Sequence, residues 1–136
     1  MWDNTQKFMS LWRCPKPVIC KIHGFALGGG SDLALCSDMI FMEETAKIGY
    51  MSTRVWGCPS TAMWVYRIGA ERAKRVLFTG DQISGVEAAS MGLVLKSLPE
   101  QKLNDEVEAM AARLTSVPLN QLAMQKMVIN LSLIHI

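Results

Sequence analysis

A run of three glycines followed by an acidic residue is the part of this sequence best suited to chemistry. The stretch GFALGGGSDLAL has its three glycines at positions 28–30 and Asp32 just beyond them. Glycine costs roughly 0.5–1 kcal/mol relative to alanine inside regular structure, so three in succession indicate that the backbone approaches another group closely. That group is a bound phosphate, a developing negative charge or another segment of the protein.

Three familiar glycine motifs fit this stretch poorly. A phosphate-binding loop has Lys and then Ser or Thr after its last glycine, whereas this chain has Ser31 and Asp32. The dinucleotide-binding fingerprint needs a small residue where Leu33 stands. A nucleophile elbow needs its final glycine at that same position, and His23 is the one native histidine that offers itself as a base.

Two interpretations of the glycine turn remain open. In the first, free N–H groups at the start of a helix form an oxyanion hole for a carbonyl, and Asp32 acts as general acid or base. In the second, Asp32 only caps the helix and the glycines only permit close packing. The loop by itself does not decide between them.

The elements that must position this turn alternate between strand and helix. VICKIHG, residues 18–24, is rich in β-branched residues and predicts a buried strand that leads into the glycines. A helix is predicted from Ser31 to Cys36. Periodicity and capping signals predict further strands at 39–44, 46–51 and 93–98, and helices at 3–12, 60–68, 70–78, 85–91, 103–114 and 119–128.

Composition excludes several classes of protein. Half of the 136 residues are hydrophobic, and a net charge of +2 without a block of like charge favours neither nucleic acid nor a membrane surface as a partner. The four cysteines show no CxxC spacing, which indicates reduced thiols in the cytoplasm, and we predict no metal site. No apolar run reaches the roughly 18 residues of a membrane span.

Two long segments follow the pattern of one family. The first is KPVICKIHGFALGGGSDLALCSDMIFMEETAKIGY and the second is RIGAERAKRVLFTGDQISGVEAASMGLVLKSLP. Both resemble the crotonase superfamily, which includes enoyl-CoA hydratases and isomerases. The resemblance implies an α/β fold, with a partial spiral of ββα turns over residues 1–99 and a helical region over 100–130 that forms trimers. It also implies a fragment that lacks the N-terminal part.

The resemblance also implies a chemistry. In such enzymes two backbone N–H groups hold the oxygen of an acyl-CoA thioester as it becomes an enolate, and Gly29 matches one donor. The other donor belongs to a loop that precedes this sequence. Hydratases of the family hold one water between two glutamates; Asp32 matches the first, and Ser52 or Thr53 stands where the second belongs. Aspartate reaches about 1 Å less far than glutamate, a displacement that costs around 10²-fold in rate unless the backbone compensates.

Two more polar residues near this segment are assigned catalytic roles. Tyr50 is predicted to donate a hydrogen bond, and Arg54 to pair with Asp32 or with a substrate carboxylate. The competing interpretations place the Tyr50 ring in the core and Arg54 in a surface contact. The predicted substrate-binding residues are Gly28, Gly30, Ser52, Thr53 and Trp56, although an aromatic side chain such as Trp56 also suits a core.

The resulting hypothesis is an enoyl-CoA hydratase-like enzyme that acts on an acyl-CoA thioester. Coenzyme A is part of the substrate and no other cofactor is expected, and the full-length protein is expected to be a homotrimer or hexamer. The alternatives are an isomerase, or a CoA-thioester hydrolase or decarboxylase of the same fold. A non-catalytic CoA-binding or assembly subunit is the alternative from another class, since the second acid is missing.

The last six residues form a separate case. LSLIHI, residues 131–136, matches the translation of a transposon end used in sequencing-library adapters. We therefore expect residues 131–136 to be foreign and the native C-terminus to be missing from this sequence.

Overall fold

The computed structural model describes residues 1–132, and residues 133–136 lie outside the described part. Its helices are α1 (Trp2–Arg13), α2 (Gly29–Leu35), α3 (Met63–Thr79), α4 (Gly85–Ser90), α5 (Glu100–Thr115) and α6 (Leu119–Leu131). Its strands are β1 (Ile19–Ile22), β2 (Phe25–Leu27), β3 (Met39–Glu43), β4 (Lys47–Gly49), β5 (Gln82–Ser84) and β6 (Lys96–Leu98). A short 3₁₀ helix, Met51–Val55, follows β4.

The strands build two three-stranded sheets. The first has the order β1-β3-β6 with all strands parallel, and the second has the order β2-β4-β5 with β5 antiparallel to β4. Consecutive strands enter different sheets: β1 pairs with β3 while β2 pairs with β4. The first two units, β1-β2-α2 and β3-β4-α3, therefore each add one strand to each sheet before the helix, and the third adds β5 before α4 and β6 after it. This is the spiral that the resemblance implies.

Two strands were not expected from the sequence. β2 lies within the segment assigned to the glycine turn, and β5 lies where only a turn and a helix cap were expected. Both strands are three residues long, which is too short for an alternating pattern to be recognised. The helix cap itself is confirmed, because Ser84 Oγ accepts a hydrogen bond of 3.2 Å from the N–H of Glu87. Gly69, with φ of +78°, marks the expected break between the two halves of α3.

The main core lies where α2 and α3 pack on the strands. Its fully buried side chains include Leu35 and Cys36 at the end of α2, Trp64 on α3, and Ile40 and Met42 on β3. Phe41 points to the opposite face of β3, where it packs with Leu98 and Leu103 in a second, smaller core. That second core fixes α5 against the parallel sheet, so β3 is covered on both faces.

The C-terminal helix α6 is fastened to the end of α1 by polar contacts. Lys126 Nζ donates to the carbonyl oxygens of Leu11 (3.1 Å) and Lys16 (3.0 Å) and lies 2.7 Å from the Asp38 carboxylate. Asn130 donates to the carbonyl of Trp12 at 3.1 Å. These contacts hold the last helix beside the spiral.

Most of the tail that we expect to be foreign lies outside the described residues. Leu131 is the last residue of α6 and Ser132 follows it, while residues 133–136 lie outside the described residues. Within residues 1–132, no helix combines the length and the apolar character needed to cross a membrane.

Candidate active site

The glycine turn connects β2 to α2 in a conformation that requires glycine at its first position. Gly28 has φ of +56° and ψ of −123°, a region that residues with a side chain rarely adopt. Its N–H donates to the carbonyl of Gly49 at 3.0 Å, which ties the turn to the end of β4. Its carbonyl accepts the N–H groups of Ser31 (3.0 Å) and Asp32 (3.1 Å), and so starts α2.

Gly29 and Gly30 are exposed, and the described residues do not require glycine there for packing. A Cβ atom on Gly30 would meet nothing within 4 Å, and one on Gly29 would make an ordinary contact of 3.7 Å with Phe8. Both amides precede the first hydrogen bond of α2, so neither has a carbonyl partner in that helix. Their backbone is therefore open to a ligand.

Asp32 lies behind this turn with its carboxyl group buried. Its side chain is 2% exposed, and Oδ1 has no hydrogen-bond partner within residues 1–132. Burial raises the pKa of the Asp32 carboxyl to about 6, while the backbone N–H of Ser60 opposes part of that rise. No side chain caps α2, whose N-cap residue is Gly28, so the capping interpretation of Asp32 does not hold. A carboxyl with this pKa is available as a base near neutral pH.

Tyr50 lies near Asp32, but its hydroxyl is already hydrogen-bonded to the protein backbone. The side chain is buried, and its OH donates to the carbonyl of Cys58 at 2.9 Å. Burial, and after it the negative charges of Asp32 and Cys58, raise the pKa of Tyr50. The hydroxyl therefore fixes the loop around Cys58, and the ring lies in the core as the competing interpretation expects.

Arg54 is not brought to Asp32. It is exposed and donates to the carbonyl of Thr79 at 2.9 Å, beside Gly80 at the end of α3. No ion pair between Arg54 and Asp32 is present in the described chain. This geometry favours the surface contact, so Arg54 is available to Asp32 only after a rearrangement.

The predicted substrate-binding residues separate into two groups. Ser52 is half-buried in the 3₁₀ helix, and its Oγ lies 3.3 Å from where a Cβ atom on Gly28 would stand. Thr53, next to it, is also half-buried. Trp56 is fully exposed and has φ of +69°, so it contributes no wall to a pocket in the described chain. The structure thus brings Ser52, but not Trp56, to the glycine turn.

The sequence pattern does not indicate two buried hydroxyl groups on the segment that follows the 3₁₀ helix, those of Ser60 and Thr61. Ser60 and Thr61 were assigned to a helix, whereas α3 begins only at Met63. Their hydroxyl oxygens are buried and have no hydrogen-bond partner within residues 1–132. No local signal separates these two residues from the helix that follows, because Pro59 restricts only the residue before it.

Comparison with known proteins agrees with this architecture. The family model described as enoyl-CoA hydratase/isomerase matches residues 2–133. A probable mitochondrial enoyl-CoA hydratase from Dictyostelium discoideum is 33% identical over 96% of this chain and 48% of its own length. A crotonyl-CoA hydratase from Syntrophomonas wolfei is 38% identical over 74% of this chain and 40% of its own length.

A solved structure extends the agreement to three dimensions. An enoyl-CoA hydratase from Mycobacterium smegmatis superposes with a TM-score of 0.93 at 42% identity, covering 96% of this chain and 45% of the other. This chain spans about half the length of the relatives it matches. Fold, glycine turn and family model agree with the crotonase resemblance: the chain belongs to the enoyl-CoA hydratase/isomerase family.

Proposed function

We propose that the full-length protein is an enoyl-CoA hydratase-like enzyme that adds water to an unsaturated acyl-CoA thioester. The observation that carries this proposal is the buried Asp32 carboxyl directly behind an open glycine turn, with a pKa of about 6. Family membership and the similarity to a crotonyl-CoA hydratase support the substrate class.

The proposed reaction uses two parts of the turn. The N–H of Gly29 donates to the thioester oxygen, where negative charge develops as an enolate forms. The oxygen of a water molecule bonds to the β-carbon while one O–H bond of that water breaks and its proton passes to Asp32. Asp32 then returns a proton to the α-carbon, which restores the carboxylate and completes the 3-hydroxyacyl product. Gly28 and Gly30 carry no side chains, so the backbone on either side of the Gly29 N–H stays accessible to the substrate.

The test is hydration of crotonyl-CoA by the full-length protein and its Asp32→Asn variant. We expect the variant to lose at least about 10²-fold in kcat, since the amide cannot accept the proton. Asp105→Asn, at an exposed position of α5, is the matched control and should keep wild-type turnover. CoA binding without turnover of any thioester by the wild type would instead support a non-catalytic binding or assembly subunit.

An isomerase is the second candidate, and one observation favours it. Ser52 or Thr53 stands where hydratases of the family carry their second glutamate, which leaves Asp32 as the one carboxylate assigned to the site. Moving a double bond needs one acid/base group and no water, so a single carboxylate suffices. Conversion of a 3-enoyl thioester with no hydration of the 2-enoyl thioester would identify this reaction. Hydrolysis or decarboxylation of the thioester would appear as release of CoA or of carbon dioxide.

Three further properties belong to the same proposal. Coenzyme A enters as part of the substrate, and the proposed steps use no other cofactor. The full-length protein assembles as a homotrimer or hexamer through its helical region, which is supported by the exposed apolar side chains of α6, Met124, Met127, Val128 and Ile129. The reduced cysteines support a cytoplasmic location.

A further inference from the structure

Buried side-chain polar atoms without a hydrogen-bond partner include one carboxylate oxygen of Asp32. Within residues 1–132 they are Asp32 Oδ1, Ser60 Oγ, Thr61 Oγ1 and Trp64 Nε1. Buried polar atoms in folded proteins are almost always hydrogen-bonded, because leaving one unpaired costs about 1–3 kcal/mol. Three of these four atoms fall within residues 60–64, so a single short segment carries most of the unmet hydrogen-bonding capacity.

This segment runs along the face of α2 that carries Asp32. The backbone N–H of Ser60 interacts with the Asp32 carboxyl, and the Thr61 side chain lies close to the Cys36 thiol. Asp32 and Cys36 are four residues apart, which places them one above the other on the same helix face. Along this helix face, Ser60 therefore lies beside Asp32 and Thr61 lies beside Cys36.

The segment is held in this position from both sides. The Tyr50 hydroxyl bonds to the carbonyl of Cys58 at 2.9 Å, and the Thr5 hydroxyl bonds to the carbonyl of Ser60 at 3.4 Å. Met63 and Trp64, at the start of α3, are buried in the main core. The backbone on either side of Ser60 and Thr61 is therefore fixed, with the Ser60 N–H at the Asp32 carboxyl.

The chemistry of these groups suits one small polar molecule. An ionised carboxylate only accepts hydrogen bonds, whereas each hydroxyl both donates and accepts. A water molecule between them donates to Asp32 Oδ1 and exchanges hydrogen bonds with the hydroxyls. We propose that Ser60 and Thr61 are positioning residues that hold, together with Asp32, the water that adds to the enoyl thioester. This inference rests on the proposed hydratase function.

The proposal places the groups that hold the water away from Ser52 and Thr53, which stand where hydratases of the family carry their second glutamate. Ser52 lies instead against Gly28, on the glycine side of the turn. The Ser60 and Thr61 hydroxyls neither gain nor lose a proton over the reaction. The water oxygen bonds to the β-carbon, and the proton of its broken O–H bond goes to Asp32 and from there to the α-carbon.

The test separates water addition from enolate formation. The full-length protein carrying Ser60→Ala and Thr61→Val is assayed for hydration of crotonyl-CoA and for exchange of the α-protons of butyryl-CoA in deuterium oxide. Exchange needs the enolate and Asp32 but no added water. We expect hydration kcat to fall about 10²-fold, the cost of misplacing a reactant, and exchange to stay within about twofold.

Conservative variants and a control complete the experiment. Ser60→Thr and Thr61→Ser each keep a hydroxyl and should retain hydration, whereas a purely steric role would not be rescued in this way. Ser90→Ala, an exposed position at the end of α4, should leave both reactions unchanged. Thermal melting of the double variant, compared with that of wild type, checks that the fold is kept.

Two results would overturn the inference while the proposed function stands. One is wild-type hydration by the double variant, and the other is an equal loss of hydration and exchange, which would indicate a general structural role. A wild-type protein that does not hydrate crotonyl-CoA would instead overturn the proposed function, and the inference with it.

Discussion

Asp32, the residue to which we assign the acid/base chemistry, has a buried carboxyl group. The sequence indicates this residue as a candidate, because an acid directly after a glycine turn stands out by type and spacing. Its surroundings could not be predicted: burial comes from α3 and the segment before it, about 30 residues away along the chain. The same distance explains why Ser60 and Thr61 were missed, since their relation to Asp32 exists only in the folded protein.

The raised pKa of Asp32 predicts how stability depends on pH. The unfolded carboxyl has a pKa of about 3.9, and the folded one a pKa of about 6. Between these values the folded state binds the extra proton, so the free energy of unfolding falls as pH rises from about 4 to about 6. The loss is about 3 kcal/mol for a shift of about two units.

Urea unfolding of the full-length protein at several pH values measures this dependence. Asp32→Asn should remove the fall between about pH 4 and pH 6 and should be more stable than wild type at pH 7, since an amide carries no charge to desolvate. Asp105→Asn, which changes an exposed carboxyl, should follow the wild-type curve. If the free energy of unfolding depended on pH in the same way in wild type and in Asp32→Asn, the buried carboxyl would not titrate as described.

At the scale of elements, the site depends on a short strand, a turn and a short helix that meet. The strand 18–24, the helix after the glycines and the break at Gly69 are predictable, because β-branched residues, caps and glycine have local preferences. β2 and β5 are not, because three-residue strands are defined by their pairing with β4. Arg54 and Trp56 show the same limit: their side-chain directions depend on a 3₁₀ helix that the sequence pattern does not signal.

The start of α2 allows a direct test of the Gly29 N–H. Gly29 is the first residue of the helix, a position that accepts proline because its N–H has no partner in the helix. Gly29→Pro therefore removes the proposed oxyanion donor while the helix stays, and we expect kcat for crotonyl-CoA to fall about 10²–10³-fold. Gly29→Ala keeps the N–H and adds only a 3.7 Å contact with Phe8, so it is the matched variant.

The comparison of the two variants decides the role of the N–H. Loss of activity in both would point to the added bulk rather than to the donor. Full activity in Gly29→Pro would remove Gly29 from the mechanism.

At the scale of the whole molecule, the spiral and the C-terminal helices are joined by few polar contacts. Lys126 connects α6 to two carbonyls and to Asp38, and its side chain is 8% exposed. At the other end, β1 and β2 are the outermost strands of their sheets among the described residues, and Phe25 of β2 is largely exposed. These strand edges and the apolar side of α6 are surfaces on which we expect the 136-residue chain alone to aggregate.

Lys126→Met tests how far the fold depends on the buried contact. Removing the ammonium group leaves the Asp38 carboxylate without its cation, and breaking a buried pair in this way costs about 3–5 kcal/mol. We expect the full-length variant to lose that much free energy of unfolding and α6 to become sensitive to protease. Lys102→Met, at an exposed position of α5, should change neither the free energy of unfolding nor the protease sensitivity of α6. Equal stability of the two variants would show that α6 is held by apolar packing instead.

The central claim is that the ionised Asp32 carboxyl is the base that activates water on an enoyl thioester. The most direct measurement is kcat/KM for crotonyl-CoA hydration by the full-length protein across the pH range on both sides of about 6. The account predicts that kcat/KM rises tenfold per pH unit below that value and levels off above it, and that Asp32→Asn abolishes the rise together with the activity. Hydration that is independent of pH, or that survives in Asp32→Asn, would contradict it.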